Sequence, residues 1–361
     1  MYKIFASDKS WIEGDAVRQL ERTAQFPGMK YVAGMPDLHP GKGTPVGAAF
    51  LADDVIYPAI VGSDIGCGMS LWQTDISTSK MRQNKLEKLA KKLTGLDDSY
   101  DGIEGFLDEH GYDPSFLNDS LGTIGFSNHF AEFQVTAEVV DEAEFARLGL
   151  ERDRMTLLAH SGSRGLGEAI LFKYAAKYGA KGIPFPEANE YLVEHDHAVE
   201  WAKINRHLIA HRFLECLDAE GNKVIDLCHN SVVKTDEGWL HRKGAAPSNN
   251  GPVIIPGSRG TASYLVKPVG DQTANAWSVA HGAGRKWSRA DCKGKLENRY
   301  SAEDMRKSPY GGCIICESKD LLFEEAPQAY KQIEQVIEDL SGIVEVIAIF
   351  HPVISYKTRK K

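Results

Sequence analysis

The sequence predicts an α/β fold, because helical patterns and strand-like runs are interspersed along its 361 residues. Apolar residues spaced three and four positions apart predict helices. Short β-branched runs that end at glycine, proline or polar residues predict strands. The predicted helices cover residues 14–25, 78–94, 186–217 and 327–340. The predicted strands cover residues 55–61, 155–159, 223–227, 253–255 and 344–350.

The helical patterns differ in how much of each helix is apolar. Helix 14–25 and helix 78–94 are both predicted to lie on the solvent-facing outside of the fold. In helix 78–94, lysines lie opposite a single apolar face. That face consists of Met81, Leu86, Leu89 and Leu93. Helix 186–217 begins at a proline, which is favoured in a first helical turn. Its apolar stripe consists of Trp201, Ile204, Leu208, Ile209 and Phe213.

Composition and charge exclude several classes of protein. The chain is 42% apolar and 25% charged, as in an ordinary globular protein. Its net charge of −8 provides no general attraction for nucleic acid, so a polyanion would need a local cleft. The first residues include charged side chains and lack a secretory apolar stretch, and no run reaches the roughly 18 apolar residues of a membrane span. We therefore expect a cytoplasmic protein whose six cysteines are reduced or bind metal.

The segment Gly62–Gly68 (GSDIGCG) follows a strand-like run and is a candidate metal-binding loop. It places the carboxylate of Asp64 and the thiol of Cys67 close together on glycine-rich backbone. Together with imidazoles, such ligands suit Zn²⁺, Mn²⁺, Fe²⁺ or Co²⁺ better than Mg²⁺ or Ca²⁺. The alternative is a reduced cysteine in a glycine turn, since free cysteine is often only a small buried apolar residue.

Four histidines lie at strand ends or in glycine-rich loops, which favours the metal interpretation: His129, His160, His229 and His281. Two others, His207 and His211, are one helical turn apart but lack the glutamate of an HExxH motif, so we interpret them as a helix face. The CxxC pair Cys313 and Cys316 has no second pair, whereas a zinc ribbon needs four ligands.

Eight segments in order resemble the signature blocks of the RtcB family of RNA ligases. They are GMPDLHPGKGTPVG (34–47), GSDIGCGM (62–69), SNHFAEFQ (127–134), HSGSRGLG (160–167), HN (229–230), PGSRGTASYLV (256–266), HGAGRKWSR (281–289) and AYK (329–331). The resemblance extends from residue 35 to residue 357. It implies one compact domain, residues 1–361, of mixed β-sheets flanked by helices, although length alone suggests about two domains.

The resemblance also implies a centre with two Mn²⁺ ions bridged by Cys67. One ion would take His160 and His229 in addition, and the other would take Asp64 and His129. Two such ions neutralise the charge of a triphosphate and of a phosphorylated RNA end together.

By the same resemblance, His281 is the nucleophile that attacks the α-phosphorus of GTP and carries GMP, and Asp37 orients its ring. Gly282 and Gly284 would leave space for a phosphate, and Arg285 would balance charge. The alternative for Asp37 is a turn residue that precedes a His-Pro step.

The resemblance assigns the remaining contacts to nucleotide and RNA. Nucleotide contacts are Asn128, at the triphosphate, and Glu132, Ser258, Ser263, Tyr330 and Lys357, at guanine and ribose. Glu132 would select guanine, since a carboxylate accepts from donors that adenine lacks. The alternative for Glu132 and Lys357 is ordinary surface charge. The RNA-binding residues would be Arg164, Arg206, Arg285 and Arg289.

The implied reaction joins an RNA 3′-phosphate, or a 2′,3′-cyclic phosphate opened by water, to a 5′-hydroxyl through an RNA-(3′)pp(5′)G intermediate. The chain departs from the family at Thr358, where glycine is expected, and in the stretch ICESKDLLFEEAPQ before AYK. Its shortness resembles a bacterial subgroup coupled to a release-factor-like protein, which favours repair of cleaved RNA over tRNA splicing.

Two other functions use the same residues. A binuclear metal-dependent phosphoesterase would need the metal ligands without a nucleotide, but a hydrolase has no use for an extra histidine among the glycines of HGAGR. A non-catalytic RNA-binding scaffold fits poorly with the negative net charge.

Overall fold

The computed structural model describes residues 1–79, 81–125 and 127–359, which contain seventeen strands and ten α-helices. The strands are β1 (Tyr2–Ile4), β2 (Met29–His39), β3 (Val46–Ala52), β4 (Val55–Ile56), β5 (Gly68–Ser77), β6 (Phe130–Val139), β7 (Arg154–Ser161), β8 (Ile183–Pro184), β9 (Gly221–Cys228), β10 (Asn230–Thr235), β11 (Gly238–Lys243), β12 (Ala245–Pro247), β13 (Val253–Pro256), β14 (Ser263–Pro268), β15 (Ser278–Ala280), β16 (Cys313–Cys316) and β17 (Val344–Thr358). The helices are α1 (Gly14–Thr23), α2 (Pro58–Val61), α3 (Gln83–Lys92), α4 (Ile103–Glu109), α5 (Glu142–Arg147), α6 (Gly165–Tyr178), α7 (Asn189–Glu215), α8 (Arg289–Leu296), α9 (Lys319–Glu324) and α10 (Ile333–Asp339).

Two sheets form the framework. The larger has eight strands, in the order β13-β14-β17-β6-β7-β5-β9, with β16 paired to β17 beside this path. The smaller has the order β1-β2-β3-β11-β10. β1 pairs with β2 and β16 with β17 in parallel, while the other neighbours are antiparallel. Mixed sheets with flanking helices confirm the predicted fold class, and the whole is one compact unit.

Both faces of the eight-stranded sheet are buried, because successive side chains of a strand point to opposite faces. In β5, Trp72 packs into a cluster with Phe213 of α7, whereas Leu71 belongs to a cluster with Phe350 on the other face. The five-stranded sheet shares a third cluster with β13 and β14, through Ala49 and Val266 among others. The two sheets therefore pack against each other through this cluster.

Most sequence-based elements are confirmed within a few residues. The helix predicted at 186–217 is α7, and the strand predicted at 344–350 is the first half of β17. The predicted helix 327–340 is shorter, because a separate 3₁₀ turn, Pro327–Ala329, precedes α10. The strand predicted at 55–61 is wrong beyond Ile56, since Pro58 begins α2. Proline fixes φ and lacks an N–H, which suits a first helical turn.

In the described parts of the chain, no helix has both the length and the apolar surface that crossing a membrane requires.

A buried arginine ties α7 to the large sheet. Arg206 is fully buried, and its guanidinium pairs with Asp226 of β9 and donates to the backbone carbonyls of Gly66 and Ser161 at 2.7 and 2.9 Å. The prediction that Arg206 grips RNA is therefore wrong. The N–H groups of its guanidinium already donate to Asp226 and to these two carbonyls, and the buried side chain cannot contact a ligand.

We expect Arg206→Ala to lower the free energy of unfolding by about 3–5 kcal/mol, because it leaves the Asp226 carboxylate without its partner. Urea unfolding measures this. The matched control is Lys203→Ala, three residues earlier on α7, whose half-exposed ion pair with Glu200 contributes less than about 1 kcal/mol. An Arg206→Ala protein of unchanged stability and reduced RNA affinity would contradict the structural role.

Candidate active site

A cleft of about 1300 Å³ lies where the strand ends of the two sheets meet. It is larger than the roughly 300–1000 Å³ of a typical small-molecule site, so it has room for more than one nucleotide. Most of the predicted site residues line it: Asp64, Cys67, Asn128, His129, Glu132, His160, Arg164, His229, Ser258, His281, Gly282, Gly284, Arg285, Arg289, Tyr330 and Lys357. Asp37 and Ser263 are buried beside it.

Close backbone packing fixes the loop before β5. Gly66 has a φ of 73°, and a Cβ there would lie 2.8 Å from Cβ of Ala202 on α7. The amide of Cys67 donates to the carbonyl of Asp64 at 3.1 Å, and the amide of His229 donates to the carbonyl of Cys67 at 2.8 Å. This network places Asp64, Cys67 and His229 on one side of the cleft.

Three imidazoles converge on this thiol. The Nε2 atoms of His160 and His129 lie 3.2 and 3.4 Å from Sγ of Cys67. Nε2 of His229 lies 3.4 Å from that of His160, and Oδ2 of Asp64 lies 2.8 Å from that of His129. Two groups of possible ligands result, Cys67 with His160 and His229, and Asp64 with Cys67 and His129, with ligand atoms within 4.8 Å of one another.

The electrostatics of the cluster favour a bound cation. Burial lowers the pKa of His160 and of His229 well below the usual value, so each ring is neutral and has one nitrogen with a free lone pair. Nδ1 of His129 faces the carbonyl of Ile124 at 3.2 Å. When Nδ1 carries the proton of this ring, Nε2 presents a lone pair toward Asp64. Burial, and then the charge of Asp64, raise the pKa of the Cys67 thiol. A divalent ion would relieve this crowding of electron pairs and hold the thiol as a thiolate.

His281 follows β15 and stands beside this cluster. Its ring centroid lies 4.7 Å from that of His229. Its Nδ1 donates to Oδ2 of Asp37 at 2.6 Å, and its backbone amide donates to the same oxygen at 3.2 Å. Asp37 is fully buried and belongs to β2. It is therefore not a turn residue, and it fixes which nitrogen of His281 carries the proton.

The glycines around His281 have different surroundings. Gly284 has a φ of 69°, and a Cβ there would lie 2.3 Å from the carbonyl oxygen of Asp37. Its smallness serves the approach of the His281 loop to β2, rather than directly making space for a phosphate. Gly282 is also buried, and a Cβ there would lie 3.2 Å from the carbonyl oxygen of Pro256.

Glu132 and Lys357 are both buried, so the surface-charge alternative is wrong for each. Burial raises the pKa of Glu132 to about 7. Its carboxylate accepts from Oγ of Ser355 at 2.5 Å and from Nε2 of Gln134 at 3.1 Å. The same Gln134 atom donates to Oγ of Ser263 at 2.9 Å, which places the predicted Ser263 behind Glu132.

Glu325 is a site residue that sequence reasoning missed. It is buried, accepts a short hydrogen bond from the Tyr330 hydroxyl, and lies 3.6 Å from Nζ of Lys357. Arg285 and Arg289 also pair with it, at 3.1 and 3.3 Å. Its signal is the Glu-Ala-Pro step just before AYK, a stretch that seemed only to depart from the family.

Lys243 is a second residue that was missed. Its Nζ donates to Oγ1 of Thr44 at 2.9 Å, and burial, followed by repulsion from Lys42, lowers its pKa to about 8. Its neighbour Gly244 packs so closely that a Cβ would lie 2.8 Å from Cε1 of His281. The short run Arg-Lys-Gly carries no periodic or charge signal that would have singled it out.

The cationic residues of the cleft differ in availability. Arg164 has a φ of 58° and is half-buried, and burial lowers its pKa. Its guanidinium lies against Gly125, where a Cβ would overlap Nη1. Arg285 and Arg289 are partly neutralised by Glu325. Asn128 and Ser258 line the cleft as half-buried side chains.

The other histidines and cysteines lie outside this site. His207 packs against Trp72 and contacts the Tyr112 hydroxyl through Nδ1 at 2.8 Å, as expected for a helix face. Cys313 and Cys316 contact different apolar clusters. Neither belongs to a possible metal-ligand group among the described residues.

Comparison with known proteins relates this geometry to one family. The sequence profile described as "tRNA-splicing ligase RtcB" matches residues 19–99 and 113–358. The chain belongs to the RtcB family. It is 47% identical to RNA-splicing ligase RtcB2 of Escherichia coli, over 98% of this chain and 94% of that protein. It is 30% identical to RNA-splicing ligase RtcB of Escherichia coli K12, over 96% and 95%, and 31% identical to tRNA-splicing ligase RtcB of Methanococcus maripaludis, over 94% and 91%.

In this RtcB-family chain, we expect Cys67→Ser to weaken Mn²⁺ binding at least about tenfold, because the thiol belongs to both possible ligand groups. Isothermal titration of the metal-free protein with Mn²⁺ measures the affinity. Cys313→Ser is the matched control and should bind Mn²⁺ like the unchanged protein. A Cys67→Ser protein with unchanged affinity and stoichiometry would remove this residue from the ligand set.

Proposed function

We propose that this chain is an RNA ligase that uses GTP and two Mn²⁺ ions to join an RNA 3′-phosphate to a 5′-hydroxyl through a guanylylated His281. A 2′,3′-cyclic phosphate end would first be opened by water. The observation that carries the proposal is the hydrogen bond from Nδ1 of His281 to the buried carboxylate of Asp37, beside a cluster of possible metal ligands.

This hydrogen bond prepares His281 as a nucleophile. Because Nδ1 carries the proton, Nε2 keeps the lone pair that a nucleophile needs. Asp37 also stabilises the positive charge that the ring develops when Nε2 forms a bond to phosphorus. A buried aspartate with two hydrogen bonds to one residue holds that ring in a single orientation.

The donor set fits the proposed ions. Thiolate, imidazole and carboxylate ligands suit Mn²⁺ among other transition metals. Cys67 would be shared, with His160 and His229 on one ion and with Asp64 and His129 on the other. When bound, such ions neutralise phosphate charge and polarise phosphoryl oxygens.

The proposed reaction has three steps, and in each step one bond to phosphorus forms while another breaks. Nε2 of His281 attacks the α-phosphorus of GTP, and the bond to the β-phosphate oxygen breaks, so pyrophosphate leaves. An oxygen of the RNA 3′-phosphate then attacks the same phosphorus, the nitrogen–phosphorus bond breaks, and RNA-(3′)pp(5′)G forms. Finally, the RNA 5′-hydroxyl attacks the 3′-phosphorus, loses its proton and displaces GMP.

The pocket around Glu132 supports GTP as the nucleotide. As a carboxylate, Glu132 accepts from the N1 and amino hydrogens of guanine, which adenine does not present together. Glu325 compensates the charges of Lys357 and Arg285, so both cations can lie in a buried pocket beside Tyr330. Asn128 and Arg285 would contact the phosphates.

Chain length bears on the proposed RNA substrate. The alignment with RtcB2 covers 363 residues, close to the length of this chain, whereas the alignment with the Methanococcus relative covers 440. The chain therefore shares the shorter form. We propose that it repairs cleaved RNA, in coupling with a release-factor-like protein, rather than splicing tRNA.

We expect His281→Ala to abolish the covalent GMP adduct and ligation from GTP, because the attacking nitrogen is removed. Incubation with α-labelled GTP and Mn²⁺ measures the adduct, whose nitrogen–phosphorus bond should be labile in acid and stable in alkali. The variant should still bind Mn²⁺, and it should still seal an RNA that already carries GMP at its 3′ end.

His160→Ala is the matched control for this experiment, since it removes a possible metal ligand rather than the nucleophile. It should lose both the adduct and Mn²⁺ affinity. An adduct that survives in His281→Ala would contradict the proposal. Absence of any adduct in the unchanged protein, together with release of phosphate from RNA ends, would favour a metal-dependent phosphoesterase.

We expect Glu132→Gln to weaken GTP use by about 1–3 kcal/mol, because one guanine donor is left without an acceptor, while Mn²⁺ affinity stays unchanged. The pKa of about 7 adds a pH test. As the pH falls through 7, Glu132 gains a proton and loses its acceptor capacity, so GTP affinity should fall in the unchanged protein and not in the variant. An unaltered preference for GTP over ATP in Glu132→Gln would place the discrimination elsewhere.

A further inference from the structure

Trp287 lies on the wall of the cleft, in the segment that leads from His281 to α8. The indole is half-buried and packs against an apolar cluster that includes Cys292 and Leu296 of α8. The backbone amides of Lys286 and Trp287 both donate to the carbonyl of Ala329, at 2.7 and 3.2 Å. The ring is therefore held in place before any ligand binds.

Two ammonium groups converge on this indole. Nζ of Lys286 and Nζ of Lys295 each lie 4.9 Å from the ring centroid. Among the described residues, neither lysine has a carboxylate within 4.0 Å, whereas Lys293 on the same helix pairs with Asp320 at 2.9 Å. Like charges gathered on one ring without a counter-ion form a local site for an anion, in a protein whose net charge is −8.

We propose that Trp287, Lys286 and Lys295 form a subsite for one nucleotide of single-stranded RNA, with the base stacked on the indole and the adjoining phosphate bound by the two ammonium groups. Stacking on aromatic rings together with backbone neutralisation is the general way in which proteins bind single strands. The inference rests on the proposed function, which brings RNA ends into this cleft.

The positions of the other groups favour RNA over the guanine of GTP as the occupant. The buried acceptors that suit guanine are Glu132 and Glu325, and neither is paired with Lys286 or Lys295. The second tryptophan of the cleft, Trp11, is 50% exposed, and its sequence neighbours Glu13 and Asp15 also line the cleft, where their negative charges disfavour phosphate.

Fluorescence polarisation with a labelled single-stranded RNA that ends in a 3′-phosphate tests the subsite by binding alone. We expect Trp287→Ala to weaken the RNA affinity about tenfold, and Trp287→Phe, which keeps an aromatic face, to weaken it less than about threefold. Trp11→Ala is the matched control and should change the affinity less than about twofold. A larger loss from Trp11→Ala than from Trp287→Ala would overturn the assignment.

A second variant avoids the loss of core packing that Trp287→Ala causes. Replacing Lys286 and Lys295 together by alanine should lower the slope of log affinity against log salt by about 0.7, because the loss of one phosphate contact to a single strand lowers it by about that amount. An unchanged slope would overturn the phosphate part of the subsite. RNAs with an abasic nucleotide near one end or the other show which strand supplies the stacked base. The unchanged protein should bind the RNA that lacks this base more weakly, whereas Trp287→Ala should bind the abasic and the normal RNA with the same affinity.

Labelling of His281 by GTP, measured in the same proteins, separates this inference from the proposed function. If the unchanged protein forms no adduct and joins no RNA, the proposed function fails, while the comparison of RNA affinities still decides the subsite. If Trp287→Ala raises the GTP concentration needed for labelling and leaves RNA affinity unchanged, the indole serves the nucleotide instead, and the inference is overturned.

Discussion

Sγ of Cys67 lies within 3.4 Å of two imidazole nitrogens, and burial together with Asp64 opposes ionisation of the thiol. A divalent cation bound here would be held by the thiolate and the neutral imidazoles together. Gly66 packs closely against α7. The backbone amide of His229 donates a hydrogen bond to the carbonyl of Cys67, which brings the loop before β5 and the turn after β9 together. The rest of the site is arranged around this point. His281 lies beside His229, and the cleft lies next to the start of β5 and the end of β9.

A second constraint is the handling of buried positive charge. Arg206 is compensated by Asp226 inside the fold, whereas Arg285 and Lys357 are compensated by Glu325 at the cleft. The same residue type is thus enclosed within the fold in one place and lines the cleft in the other. The burial of the acidic partner does not distinguish the two cases, because the side chains of Asp226 and Glu325 are both largely inaccessible to solvent. The difference is position, because Arg206 points into the layer between α7 and the sheet, and Arg285 lies on the cleft wall.

The sequence was sufficient to predict much of this arrangement. Periodic patterns predicted α7 and the start of β17, and the family resemblance implied one shared site, whose predicted residues from 64 to 357 mostly line one cleft. Three features escaped it for physical reasons. Pro58 begins a helix inside an apolar run that also suits a strand. Arg206 carries the same charge whether it faces solvent or Asp226. Glu325 pairs with Arg285, 40 positions away, and the Glu-Ala-Pro step before AYK does not indicate that contact.

These features also show how His281 and the cluster of possible metal ligands are brought together from different strands. Cys67, His160 and His229 belong to the ends of β5, β7 and β9 in the large sheet, whereas Asp37 belongs to β2 in the small one. His281 leaves β15, whose partner β12 follows directly after β11 of the small sheet. A phosphorus atom between Nε2 of His281 and the cluster would therefore lie between the loop after β15 and the strand ends of the large sheet. Gly284 packs against the carbonyl of Asp37 and keeps the His281 loop close to β2, so a side chain at this position would push His281 away from the Asp37 carboxylate.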